Sequence, residues 1–198
     1  MPAPAQGPGG VEGTVTQSVA LYPASFDPLT VAHVSVAERA ARDFSTLFVA
    51  AAVNPAKNYE FTMDEKLNFL RASLGHLDNV EVIGLEDGLT VDHARRRGAG
   101  ILIRGFRSVA DFLAEEELVA QNRFVQEAVG ITADHPDFVE TVPYYSRATQ
   151  GHISSSLVRG LMHVPGVERR VERIKPLVPG PVFGTILTHL EEIEQAQA

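Results

Sequence analysis

From Val19 onward, short apolar runs alternate with segments of helical periodicity, and that alternation is what most narrows the folds open to the chain. Residues 19–22, 47–53, 80–83 and 101–103 are short and largely apolar, as strands covered on both faces have to be. Between them, residues 31–43 carry an apolar stripe of Val34, Ala37, Ala40 and Ala41. Residues 62–74 repeat the pattern with Leu67, Leu70 and Leu74, behind a Thr62/Glu65 pair spaced to form a capping box. Helices are also predicted over 90–97 and over 108–129, the latter bearing Val109, Phe112, Leu118, Val119 and Val125. This spacing predicts parallel strands joined by right-handed crossovers. Their C-termini then line one edge, where such sheets bind ligands.

The second half is less regular. Residues 131–143 read as a loop leading into a strand near 138–142, followed by helices over 154–163, 167–174 and 182–195. The expected fold class is α/β: a Rossmann-like, doubly wound parallel five-stranded sheet with helices on both faces and a helical C-terminal segment. The chain has 198 residues and no linker-like stretch beyond residue 17, so residues 18–198 are read as a single domain. Residues 1–17, rich in Gly and Pro, are read as a flexible tail, without the basic start and apolar run of a secretory signal. No internal repeat is visible, and no apolar stretch nears the roughly 18 residues of a transmembrane helix.

Composition narrows the function classes. A 44% hydrophobic content excludes a disordered chain. With no cysteine, disulfide frameworks and Cys-ligated metal sites are excluded, and a cytoplasmic location is expected. A net charge of −8 argues against nucleic-acid and membrane partners, which call for a broad basic surface. Any phosphate ligand therefore needs a small basic pocket in an acidic body.

The common nucleotide signatures are missing. There is no G-x-x-x-x-G-K-[ST] loop, and Gly98-Ala99-Gly100 has Ile103 in place of a third glycine and precedes a strand instead of following one. More telling is the loop after the first strand, Tyr22-Pro23-Ala24-Ser25-Phe26-Asp27-Pro28-Leu29-Thr30-Val31-Ala32-His33. Its prolines stiffen it, Thr30 can cap the following helix, and His33 falls in that helix's first turn, where unpaired N–H groups favour anions. A capped helix with an incidental surface histidine is the plainer explanation.

Ile153-Ser154-Ser155-Ser156-Leu157-Val158-Arg159 offers a second hydroxyl-rich helix start, which could be a simple serine cap. At the end of the fourth strand, Ile103-Arg104-Gly105-Phe106-Arg107 presents two guanidinium forks suited to phosphate. They could equally form a solvated basic turn paired with Asp111, Glu115 or Glu116. Lys57, after the second strand, adds a cation on the same edge. Together these features put phosphate-compatible groups after strands one, two and four, which favours a shared ligand.

With these motifs, the chain resembles the phosphopantetheine adenylyltransferases, nucleotidyltransferases that carry a His/Thr-x-Gly-His motif and an Ile-Ser-Ser-Ser/Thr motif. The likeness runs from about Ala20 to Asn122 and resumes over Ile153-Ser154-Ser155-Ser156-Leu157-Val158-Arg159. Its most specific part is Ile103-Arg104-Gly105-Phe106-Arg107-Ser108-Val109-Ala110-Asp111-Phe112, followed by Glu115 and Asn122. Asn54-Pro55-Ala56-Lys57 and Thr62-Met63-Asp64-Glu65 also fall in the family's order.

The resemblance implies a single nucleotidyltransferase domain that transfers AMP from ATP to 4′-phosphopantetheine, giving dephospho-coenzyme A and pyrophosphate. It implies catalytic roles for His33, Lys57 and Arg107, and ATP contacts from Ser25, Phe26, His33, Arg107, Glu115, Ser154, Ser155 and Ser156. The acceptor would be held by Ser25, Lys57, Thr90, Arg104, Leu118 and Asn122. Mg2+ would accompany ATP, with no metal-ligating residues in the chain, and coenzyme A feedback and a homo-hexamer are also implied.

Departures from the family pattern are Ala24 and Ala32 at usual glycines, Ala114 at a frequent tyrosine and Gly160 at a frequent glutamate. The segment between Asn122 and Ile153 is also longer, and Gln150-Gly151-His152 replaces the usual approach to the serines. The alternatives are a related nucleotidyltransferase, acting on nicotinamide mononucleotide or using CTP, and a nucleotide-binding regulator that has lost turnover.

Overall fold

The apolar runs pair into one fully parallel sheet. The structure, a computed structural model, describes residues 18–54, 57–165 and 169–197. Strands β1 (Val19–Ala24), β2 (Thr46–Ala52), β3 (Val80–Leu85), β4 (Ile101–Phe106) and β5 (Glu140–Tyr145) lie in the order β3-β2-β1-β4-β5. The strand order reverses between β1 and β4, the switch point at which doubly wound sheets open a crevice. Here the parting is pronounced. β1 pairs with β2 over its whole length, from Val19 with Thr46 to Ala24 with Ala51, but with β4 only at Ala20–Ile101 and Leu21–Leu102.

Proline explains how β1 can outrun its predicted end at Tyr22. Pro23 has no N–H to donate, yet it lies beyond the last β1–β4 pair, so no ladder bond to β4 is lost there. β5 differs from the predicted strand near 138–142. It starts later and runs through Pro143, which pairs in register with Arg104. As the sheet's outer strand, β5 has one side outside the ladder, which is where proline is tolerated.

Helices cover both faces. α1 (Val31–Asp43), α2 (Met63–Leu74), α5 (Ser155–His163), α6 (Arg170–Ile174) and α7 (Gly180–Gln197) lie over one face. There Ala20, Leu47, Val49 and Ile103 pack with Val36, Leu70, Ile174 and Ile186. On the other face, Leu21, Ala50 and Leu102 pack with Val91 and Ala94 of α3 (Thr90–Arg96), and Val125 of α4 (Val109–Glu127) closes the layer. The predicted cap of α2 forms as a full capping box: Thr62 N–H donates to Glu65 Oε2 at 2.8 Å, and Glu65 N–H to Thr62 Oγ1 at 3.3 Å. The tail over 1–17 and the start of the helix predicted over 167–174 lie outside the described residues. Among the described residues, no helix is long and apolar enough to cross a membrane.

Candidate active site

The crevice at the parted ends of β1 and β4 is a cavity of about 840 Å³. Three loops and a helix start enclose it: the β1–α1 loop, the segment after β2, the β4–α4 turn and the N-terminus of α5. Of the residues singled out in the sequence, Ser25, His33, Lys57, Thr90, Arg104, Arg107, Glu115, Leu118, Ser154, Ser155 and Ser156 all line it.

Phe26 and Asn122 do not. Phe26, at a positive φ of 44°, turns its ring inward and is 1% exposed. It packs edge-on against Tyr22 and against the His33 ring, with centroids 5.5 and 5.2 Å away. Its place is beneath the site, as a backing for His33. Asn122 lies one turn beyond Leu118 on α4, and its carbonyl accepts a hydrogen bond from Gln126 Nε2 at 3.2 Å.

His33 is more constrained than a helix-start histidine need be. It occupies the N3 position of α1, where a glutamate or glutamine commonly reaches back to the cap. Its Nδ1 accepts the Thr30 N–H at 3.1 Å and lies 3.0 Å from Thr30 Oγ1. Burial, with a smaller contribution from the Arg107 charge, lowers its pKa to about 4. The ring is therefore neutral at neutral pH. With Nδ1 taken up as acceptor, its proton sits on Nε2 as a hydrogen-bond donor.

The two arginines satisfy both readings their sequence allowed. They line the cavity, and each is also paired with a carboxylate. Arg104 donates through Nε and Nη2 to Glu115 at 2.5 and 2.9 Å, and through Nη1 to the Pro23 carbonyl at 3.3 Å. Arg107 grips Asp111 through Nε and Nη2 at 2.9 and 3.2 Å and reaches the Ile153 carbonyl at 3.2 Å, tying β4 to the serine turn. Both forks are bidentate, the geometry that also suits a phosphate. Lys57 is exposed and, among the described residues, makes no ion pair.

The serine turn is partly structural. Ser154 caps α5 by accepting the Leu157 N–H at 3.0 Å, and Ser155 Oγ donates to the Pro28 carbonyl at 2.8 Å, which binds α5 to the first loop. Ala24 and Ala32 both contribute to the cavity wall. A Cβ built on Gly160 meets nothing within 4 Å, so packing does not demand glycine there.

An ionic hub around Asp27 has no counterpart in the sequence reading, where Asp27-Pro28 registered only as a stiff step. The Asp27 carboxylate is buried; it accepts the Phe61 N–H at 2.9 Å and the Glu60 N–H at 3.1 Å. It also pairs with Lys66 Nζ at 3.4 Å and Arg159 Nη1 at 3.3 Å, and Arg159 donates in addition to the Asp27 carbonyl. Burial lowers the pKa of Lys66, and the charge of Asp27 opposes that shift. Tyr59, whose ring lies under Lys66 Nζ at 3.5 Å, also lines the cavity. The only local sign of the hub was a lysine on the apolar side of α2, one residue before Leu67.

Residues 21–161 match a family model described as cytidylyltransferase-like. The phosphopantetheine adenylyltransferase of Gloeobacter violaceus is 41% identical over 148 residues, covering 75% of this chain and 85% of the relative. That of Heliobacterium modesticaldum is 38% identical over 142 residues, 72% of this chain and 78% of the relative. Among solved structures, the nicotinic acid mononucleotide adenylyltransferase of Plasmodium falciparum aligns with a TM-score of 0.61 at 13% identity, over 87% of this chain and 96% of that one. A Vibrio parahaemolyticus protein provisionally named a nicotinate-nucleotide adenylyltransferase aligns with a TM-score of 0.56 at 15% identity, over 86% of this chain and 99% of that one. These two likenesses establish the shared fold. Sequence identity decides the family: the chain is a nucleotidyltransferase and belongs to the phosphopantetheine adenylyltransferase family.

Proposed function

We propose that this protein transfers the adenylyl group of ATP to 4′-phosphopantetheine, releasing pyrophosphate and forming dephospho-coenzyme A. The observation that carries the reading is the cavity at the β1–β4 parting. It brings one neutral N–H-bearing histidine, four cationic side chains (Lys57, Arg104, Arg107 and Arg159) and two helix N-termini onto a space sized for two phosphorylated substrates. An oxygen of the acceptor phosphate attacks the α-phosphorus in line, a P–O bond forms, and the α–β bridging bond breaks with its electrons leaving on pyrophosphate. A phosphomonoester with a second pKa near 6 is already mostly dianionic at neutral pH, so no side chain has to remove a proton. Positioning and charge stabilisation supply the catalysis.

In this reading His33 donates its Nε2–H to the α-phosphoryl oxygens, a bond that strengthens as charge gathers there. Lys57 spans both substrates. Arg107, Glu115 and the turn of Ser154, Ser155 and Ser156 serve ATP, with Phe26 acting through its backbone and through His33. Ser25, Arg104, Thr90 and Leu118 serve the acceptor, with Asn122, one turn beyond Leu118 and outside the lining, reaching it only from the rim. Glu115 has a second task, since its carboxylate orients the Arg104 guanidinium. Among the described residues no group of three carboxylates or imidazoles is spaced to hold a metal ion. In this reading Mg2+ would arrive with the triphosphate and offset charge on the departing pyrophosphate.

Assembly into a homo-oligomer, a hexamer, belongs to the same reading. It is supported by Leu113 and Phe124 on α4, which are 66% and 71% exposed and would otherwise leave apolar surface in water. Sedimentation at micromolar concentration tests it; a monomer would end it. The reaction itself is tested by pyrophosphate release with ATP or CTP against phosphopantetheine and nicotinamide mononucleotide. Turnover with ATP and phosphopantetheine alone is expected. Turnover with another pair would reassign the substrates, and none with any pair would sink the enzymatic reading.

A further inference from the structure

Lys57 stands on an exposed segment, yet adenylyl transfer needs its ammonium held at one place in the cavity. Flexible lysine side chains do not hold themselves. The neighbouring backbone shows how the segment is restrained. Lys57 N–H donates to the Asn54 carbonyl at 3.0 Å, closing a turn. The Tyr59 hydroxyl closes on the same residue from the other side: it accepts the Asn54 N–H at 2.6 Å and donates to the Asn54 carbonyl at 3.4 Å. Both polar groups of the Asn54 backbone thus meet one phenol.

That phenol is itself seated from below. Lys66 Nζ lies 3.5 Å from the Tyr59 ring centroid, within cation–π range, and is paired with buried Asp27. The backbone directly after Tyr59 is pinned as well, because the Glu60 and Phe61 N–H groups both donate to the Asp27 carboxylate. An ion pair in which both side chains are no more than 3% exposed is a costly way to fill space beneath an aromatic ring, since an apolar side chain would pack there without desolvating a charge. What the pair provides is one fixed ring position. Asp27 also binds Arg159, which lines the opposite, α5 side of the cavity, so the hub spans both walls.

We propose that Tyr59 is a positioning residue for Lys57: its hydroxyl clamps the turn that carries Lys57, and Lys66 and Asp27 fix the ring that carries the hydroxyl. The proposal rests on the adenylyl-transfer reading, in which Lys57 touches substrate. Tyr59 acts through its oxygen and not through ring contact with a ligand.

Tyr59→Phe keeps the ring over Lys66 and removes only the oxygen. It is compared with wild type, Lys57→Ala and the double variant, in steady-state kinetics and in amide exchange of the folded protein. Removing the clamp should lower kcat about tenfold, the scale of a small misplacement of a catalytic group, with KM for ATP within about twofold. Two residues acting as a unit do not add, so the double variant should match Lys57→Ala alone within about twofold. Exchange of the Asn54 amide should accelerate about tenfold as its acceptor is lost. An unchanged kcat, an unchanged Asn54 exchange rate, or a Tyr59→Phe effect that multiplies with that of Lys57→Ala would each overturn the proposal. If the wild type forms no pyrophosphate from ATP and phosphopantetheine, it is the adenylyl-transfer reading that fails. The same four proteins are then compared by ATP dissociation constant, with the same criterion of non-additivity.

Discussion

The Thr30 N–H bonded to Nδ1 of His33 sets which nitrogen of the ring carries the proton, and burial sets that the ring stays neutral. In the proposed reaction both bear on rate more than on binding. His33→Ala should therefore lower kcat on the order of 10²-fold while the ATP dissociation constant moves by no more than about threefold, because the lost bond is strongest in the transition state. With a pKa of about 4, His33 imposes no acid limb near neutrality, and a limb near 6 belongs to the acceptor phosphate. The NMR shifts of the His33 ring should stay level from pH 8 down to about pH 6; a midpoint near 6.5 would show that His33 titrates as an ordinary imidazole. The carboxylate partners give a second test. Arg104→Ala should raise KM for phosphopantetheine about tenfold and leave that for ATP alone. Glu115→Ala should raise both, since Glu115 orients Arg104 and, in the proposed reaction, also serves ATP.

At the scale of elements, the site depends on helix starts and strand ends. α2 is the anchor of Lys66, and its capping box is among the features read directly from the Thr62/Glu65 spacing. Burial raises the Glu65 pKa, but the Thr62 N–H, the Thr62 hydroxyl and His189 outweigh it, and the net shift is downward. Such a carboxylate adds stability that is present above its unfolded pKa and lost as pH falls through the lower folded value. Thr62→Ala should cost about 1 kcal/mol, or roughly 2–4 °C in Tm for a chain of this size, measured at pH 7. A smaller loss in the same variant at pH 3, where the protonated Glu65 has already weakened the box, is the expected companion result. Strand ends matter for a different reason. β1 and β4 separate after Leu21 and Leu102, and this parting creates the volume into which His33, Arg104 and Arg107 project.

Across the whole molecule, the Asp27 hub joins the first loop, the 59–61 segment, α2 and α5. Asp27→Asn would leave Lys66 buried without its counter-charge. A loss of about 3 kcal/mol is expected, near the cost of orphaning one member of a buried pair, seen as a fall in Tm of roughly 6–12 °C. A fall within 2 °C would mean that the hub contributes little to folding. Acid stability has a global signature too. His33 takes up a proton below its ordinary value of 6.5 in the unfolded chain, but only below about 4 in the folded one. Its contribution is thus complete above pH 6.5 and is lost as pH falls towards 4, so His33→Asn should flatten the decline of Tm over that window.

The layered α/β fold and most of the residues that meet in the cavity are legible in the order of residues along the chain. Both rest on local signals: apolar periodicity, a capping pair, and polar groups placed just after apolar strands. The motif residues Ser25, His33, Lys57, Arg104, Arg107 and the three serines needed only the strand order of a parallel sheet to bring them to one edge. The boundaries of β5 were less legible, because Pro143 reads as a stop unless the strand is known to lie at an edge. Relations between residues far apart in the chain emerge only on folding. Among them are Phe26 turned inward under His33, Asn122 lying outside the cavity lining, and the two arginines paired with carboxylates while facing the cavity. The Asp27–Lys66–Arg159 hub is the plainest case. Lysine and arginine are ordinarily solvated, and beyond the place of Lys66 on the apolar side of α2 no local pattern marks one that is buried. Its partner is chosen by how α2 and α5 pack over the first loop, and that is settled only when the whole sheet has formed.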